Sequence, residues 1–82
     1  MEELLSVEIS IMIAHNLKRI RENKKITQAE VAKRANISRI TYCRIETARS
    51  IVTLQTLLKL AIALDVAVDE LLSGVLEAMK GK

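Results

Sequence analysis

Apolar residues recur at steps of three and four along most of this 82-residue chain, the spacing that gathers them on one face of a helix. Leu5, Ile9, Met12, Ile13, Leu17 and Ile20 follow that period and predict one helix over residues 4–25, with Ser6 or Ser10 as its cap. Val7, Ile9, Ile11 and Ile13 also alternate as a strand would. A short lone strand has nothing here to pair with, so the helix is preferred. Thr27-Gln28-Ala29-Glu30 reads as a capping box, in which the threonine hydroxyl accepts from the Glu30 amide and the Glu30 carboxylate reaches back to the Thr27 amide. It opens a second helix that carries Val31 and Ala32 inward and ends near Ala35.

Asn36 tolerates the left-handed conformation that ends helices, and Ser38 then caps a third helix over residues 39–46. Two short helices across a turn of about three residues have the spacing of a helix-turn-helix. Residues 47–52 break the period and read as a loop. Thr53 caps a fourth helix with Leu54, Leu57, Leu58, Ala61 and Leu64 facing the core. A fifth starts near Asp69, whose carboxylate suits a helix N-terminus, and carries Leu71 and Leu72. Gly74 either ends it or lies within a longer helix reaching Met79.

Composition agrees with helices throughout. There is no proline and only two glycines, Gly74 and Gly81, and half the residues are apolar. The length is that of one domain, 1–82, with an apolar N-terminal extension over 1–12 and a tail over 74–82. A core this small gains stability by pairing, so a homodimer is expected. The single cysteine, Cys43, forms no internal disulfide and no cysteine-based zinc site. No run of about 20 apolar residues spans a membrane, and the Met-Glu-Glu start is unlike a secretory signal. A cytoplasmic protein without cofactor or metal is expected.

Charge sharpens the picture. Residues 18–49 hold ten Lys or Arg against three acids, whereas the remainder is net acidic, for a formal charge of +3 overall. A basic segment inside a packed domain suits a polyanion, although a solvated charged face explains many such runs. An enzyme is disfavoured, since the chain offers one His (His15), one Cys and no glycine-rich phosphate loop. Single-stranded nucleic acid is disfavoured too, because stacking needs aromatics and Tyr42 is the only one.

Ile20-Arg21, the Thr27-to-Ala32 stretch, Ile37-Ser38-Arg39, Arg44-Ile45-Glu46, Leu57-Leu58-Lys59-Leu60-Ala61 and Asp69-Glu70-Leu71-Leu72 together resemble the phage-repressor and Cro (Xre) helix-turn-helix family. The resemblance covers roughly residues 13–72. It implies an all-α, five-helix repressor-like bundle with its motif at residues 27–46, binding double-stranded operator DNA as a two-fold dimer. It also implies site residues. Arg39, Ile40 and Arg44 take the outward positions of the recognition helix, which meet base edges. Gln28, Ser38, Thr41 and Arg49 take positions that meet the DNA backbone, and Arg21 and Glu46 match a pair joining the first helix to the end of the third.

The residues support this reading independently. Ile37, Thr41 or Tyr42, and Ile45 fall on one face of the third helix, which turns Arg39, Ile40, Cys43 and Arg44 outward. Arginine offers two donors to guanine O6 and N7, and an isoleucine meets a thymine methyl. Gln28 lies beside the free amides of a helix start, which suit phosphate. Two departures stand out: Ala48 where the family has glycine, and Ile51-Val52 where it often has Asn-Pro. Tyr42 replaces an aliphatic residue and reads as an amphipathic plug.

The chain is more loosely similar to the small controller proteins of restriction–modification operons, which extend their first helix with apolar residues as this one does at Leu4, Leu5, Val7 and Ile9. The competing functions are an antitoxin that binds operator DNA and a toxin, and a helical protein–protein module without DNA binding. The dimer surface expected from the family is the fifth helix and the loop before it, which makes Val66, Val68, Leu71, Leu72 and Leu76 candidates.

Overall fold

The computed structural model describes residues 2–81, with side chains from residue 6 onward. The chain is all-helical: α1 (Glu2–Asn23), α2 (Gln28–Ala35), α3 (Arg39–Glu46), α4 (Leu54–Leu64), α5 (Val68–Leu71) and α6 (Val75–Lys80). Five helices were expected, and six form among the described residues. Gly74 marks the break: it stands just ahead of α6 with a φ of 82°, in the left-handed region that interrupts a continuous helix. The same glycine lies against α1, where a Cβ would come 3.0 Å from the Met12 methyl.

α1 begins ahead of both serines proposed as its cap, and Ser10 is buried within it. The side chains of Leu4 and Leu5 lie outside the described residues. Beyond Ser10, Ile13, Leu17 and Ile20 face inward at the expected period. They meet Val31, Ala32 and Ala35 of α2, Tyr42 and Ile45 of α3, Leu57, Leu60 and Leu64 of α4, and Leu71 and Val75 beyond. α2 packs on α3 and α4, while α1 packs on α3, α5 and α6. One polar residue sits on the inward face of α1. Asn16 is buried and its Nδ2 donates to the carbonyls of Leu71 (2.9 Å) and Ser73 (3.1 Å). These are carbonyls that the short α5 leaves unpaired, so Asn16 acts as its C-terminal cap from another helix.

Two residues of α4 do not face the core as predicted. Leu57, Leu60, Ala61 and Leu64 fill the inward face, and Leu54 and Leu58 are exposed. At about 100° per residue one helix cannot turn all six inward.

The helix ends explain how four turns form without glycine. Lys25, Asn36, Ala48 and Asp65 all have φ between 55° and 59°. At each, the following amide bonds five residues back: Ile26 to Arg21, Ile37 to Ala32, Arg49 to Arg44 and Val66 to Ala61. Each left-handed residue also donates three residues back. This is the Schellman arrangement, which normally adds an apolar contact from the residue after the left-handed one. Ile26, Ile37 and Val66 supply it, half-buried against the core. Arg49 departs from the pattern and stands in solvent at the end of α3. The starts of α2, α3 and α4 are capped as predicted, with Thr27, Ser38 and Thr53 accepting from the amides of Glu30, Thr41 and Thr56. Only half of the Thr27–Glu30 box forms, because no bond returns from the Glu30 carboxylate to the Thr27 amide.

Candidate nucleic-acid interface

The α2–turn–α3 unit is short, so its shape depends on what fixes α3. Tyr42 and Ile45 bury its inner face, and Glu46 at its end is buried with them. The Glu46 carboxylate receives Arg21 Nε on Oε2 at 2.9 Å and Arg21 Nη2 on Oε1 at 2.7 Å, a bidentate pair with side chains 13% and 3% exposed. Arg21 Nη1 also donates to the Ile26 carbonyl at 3.0 Å. One guanidinium thus ties the end of α1, the α1–α2 turn and the end of α3 together. Burial by itself would raise the Glu46 pKa, but the donors around it, Arg21 foremost, outweigh burial and hold it below the ordinary carboxylate range. The bond to Glu46 raises Arg21 above its usual value.

Gln28, expected to face phosphate, gives Nε2 to Glu46 Oε1 at 3.1 Å and is half-buried. Its carboxamide is therefore oriented from within, which leaves its carbonyl and second N–H for an outside partner. The bond between the α2 start and the α3 end was not foreseen, since spacing along the chain does not reveal it. For Tyr42 an amphipathic plug was expected, and the residue is buried whole, with its hydroxyl lacking a hydrogen-bond partner. It lies beside Glu46, near enough to act on the carboxylate, and burial followed by that nearness pushes its pKa far above the usual range.

The outer face of α3 is the opposite case. Arg39, Ile40, Thr41 and Arg44 are exposed, with Ile40 at 67%, and Cys43 is half-buried. Ile40, Cys43, Arg44, Thr47 and Arg49 line one shallow groove of about 380 Å³. Arg44 also borders a second groove with Thr41, Ile51 and Thr53 at the start of α4. The fold therefore brings Ile40, Arg44 and Arg49 together, through the left-handed turn at Ala48. Ser38 caps α3 and donates to Thr41 Oγ1 at 2.7 Å, which places both hydroxyls at the helix start. Among the described residues the guanidinium groups of Arg39, Arg44 and Arg49 make no hydrogen bond or ion pair. Arg21 is fully engaged, and these three are left to solvent.

The residues expected to form a dimer surface lie at α5, α6 and the loop before them. Leu71 is fully buried in the core and so is closed to a partner. Val66, Val68 and Leu72 are half-buried and Leu76 is exposed. Val68, Leu72 and Leu76 line a groove of about 650 Å³ that Asp69 and Glu77 also border.

Comparison with known proteins places this geometry. The HTH_3 helix-turn-helix family model matches residues 17–71. The restriction-modification controller protein C.AhdI from Aeromonas hydrophila is similar in structure, with TM-score 0.74 and 29% identity over 76% of this chain and 94% of that one. The hypothetical transcription factor NHTF from Neisseria superposes with TM-score 0.77 and 30% identity, over 90% of this chain and 85% of that one. An HTH_3 family transcriptional regulator from Vibrio cholerae gives TM-score 0.78 and 26% identity, over 80% of this chain but 37% of its own length. No curated protein sequence matches.

Proposed function

The chain belongs to the HTH_3 helix-turn-helix family, and from that premise we propose that it is a transcriptional regulator that binds double-stranded DNA sequence-specifically, as a homodimer on a palindromic operator. One observation carries the reading. The second helix of the motif is fixed from inside by the buried Arg21–Glu46 pair and presents Arg39 and Arg44 outward, with Arg49 in the turn after it, and among the described residues none of the three has a partner. In this reading Arg39, Ile40 and Arg44 meet base edges in the major groove. Gln28, Ser38, Thr41 and Arg49 meet phosphates, whose neutralisation supplies much of the affinity. The likeness to a restriction–modification controller supports a finer version, control of such an operon from the cytoplasm. A protein–protein module that had lost DNA binding would have no use for unpaired arginines on this face.

Selection of bound duplexes from a random pool tests the proposal, followed by gel-shift titration of the selected site. A common palindromic sequence is expected. Arg44→Ala should weaken binding by about 1–3 kcal/mol, or roughly 5- to 150-fold, while the helical circular-dichroism signal persists. Affinity should also fall steeply as salt rises. Unselected DNA, or an Arg44→Ala protein with unchanged affinity, overturns the reading.

A further inference from the structure

α4 is apolar on two faces. Its inner face, Leu57, Leu60, Ala61 and Leu64, is buried. Its outer face carries Leu54, Leu58 and Ile62 at four-residue steps, 71%, 45% and 80% exposed, with Ile51 just ahead of them at 72%. A helix that is hydrophobic all round belongs inside a structure, yet among the described residues nothing covers the outer face. The exposed stripe amounts to roughly 500 Å² of apolar surface, at the upper end of what a monomeric protein leaves open.

We infer that this outer face of α4 is where two copies of the chain meet. The inference rests on the proposed dimeric function and replaces the α5–α6 surface that the family resemblance implies. Two features of the molecule point to a second copy as the occupant. The first is area: a two-fold axis through the stripe doubles it to about 1,000 Å², the size a specific interface clears. A two-fold contact is also self-complementary by construction, so one apolar stripe satisfies both sides. The second is charge. From Ile51 to Leu64 the chain carries a single charged residue, Lys59, and no acid, whereas residues 18–49 are strongly basic. Two copies whose reading faces repel each other meet at least electrostatic cost on the face with least charge. The α5–α6 groove is less suited, because Asp69 and Glu77 border it and Glu70 is exposed nearby. A two-fold contact there brings acids of one copy toward acids of the other.

Sedimentation of the free proteins, with circular dichroism as the check on folding, decides the matter. The wild type is expected to sediment as a dimer at micromolar concentration. Ile62→Asp and Leu54→Asp, at positions that contribute little to the core, should each weaken dimerisation by more than about 100-fold and sediment as folded monomers. Leu76→Asp in the α5–α6 groove should leave the dimer intact. A dimer that survives both α4 variants and is lost in Leu76→Asp overturns this inference and leaves the dimeric regulator standing. A wild type that is monomeric both free and on its selected duplex overturns both.

Discussion

Replacing Arg21 by alanine leaves the Glu46 carboxylate, 3% exposed, with one remaining donor, Gln28 Nε2 at 3.1 Å. Removing one member of a buried pair costs about 3–5 kcal/mol, because the survivor is held away from water. The Arg21 side chain is itself 13% exposed, so some water reaches the site once it is truncated, which argues for the lower end, about 3 kcal/mol. An 82-residue domain holds about 4–12 kcal/mol of stability in total, so the variant should lose a large share of it. Urea unfolding followed by far-ultraviolet circular dichroism at pH 7 measures this directly. Arg21→Met combined with Glu46→Met should recover much of the loss, since a buried pair is worth little against apolar side chains of similar size. A cost below about 1 kcal/mol, ordinary for exposed pairs, refutes the reasoning. A double variant as unstable as the single one refutes it too.

The same pair sets an acid limit. The folded Glu46 pKa lies below its ordinary value of 4.5. Its contribution is therefore complete above that value and drains away as pH falls through the lower folded one. In Arg21→Ala burial dominates, so this part of the acid loss should vanish or change sign.

Ala48→Gly should stabilise the fold by about 0.5–1 kcal/mol, because a Cβ is disfavoured at φ 59° by more than the extra freedom glycine has when unfolded. In thermal melts that is roughly 2–8 °C, and a lower melting temperature refutes the account of this turn. Tyr42→Phe removes a buried hydroxyl without a partner and should be neutral or stabilising by about 1 kcal/mol in urea unfolding; a loss of that size refutes the assignment. Because the folded Tyr42 pKa is raised above its ordinary 10.0, its neutral form contributes stability that is complete below pH 10 and declines above it. Tyr42→Phe should therefore flatten the alkaline end of the stability profile. Asn16→Ala strands the Leu71 and Ser73 carbonyls and should cost about 1–3 kcal/mol. Hydrogen exchange should then speed up first in α5 and α6, and uniform exchange throughout argues against the capping role.

What was legible in the chain was local, and what was not depends on meetings across it. Thr27, Ser38 and Thr53 cap the helices they announce, and Asn36 ends α2 in the left-handed region, because each signal acts within four residues of itself. The outward set on α3 followed from the same short-range periodicity, once Tyr42 and Ile45 were turned inward. The left-handed turns that follow α1, α3 and α4 were not read from the chain, and Lys25 and Ala48 adopt there a conformation their types do not favour. Tertiary packing of Ile26, and the fixed position of α3, override that preference. Asn16 and the Gln28–Glu46 bond leave no trace in spacing, because their partners lie 55, 57 and 18 residues away. The α4 misreading has the same origin with more consequence. Periodicity counts apolar positions but does not limit how many one core takes, so a helix with two apolar faces reads as one broad inward face. Leu54, Leu58 and Ile62 are what remains after Leu57, Leu60, Ala61 and Leu64 have filled the core. The surplus that defeated the sequence reading of α4 is thus the same surface that a second copy is expected to cover.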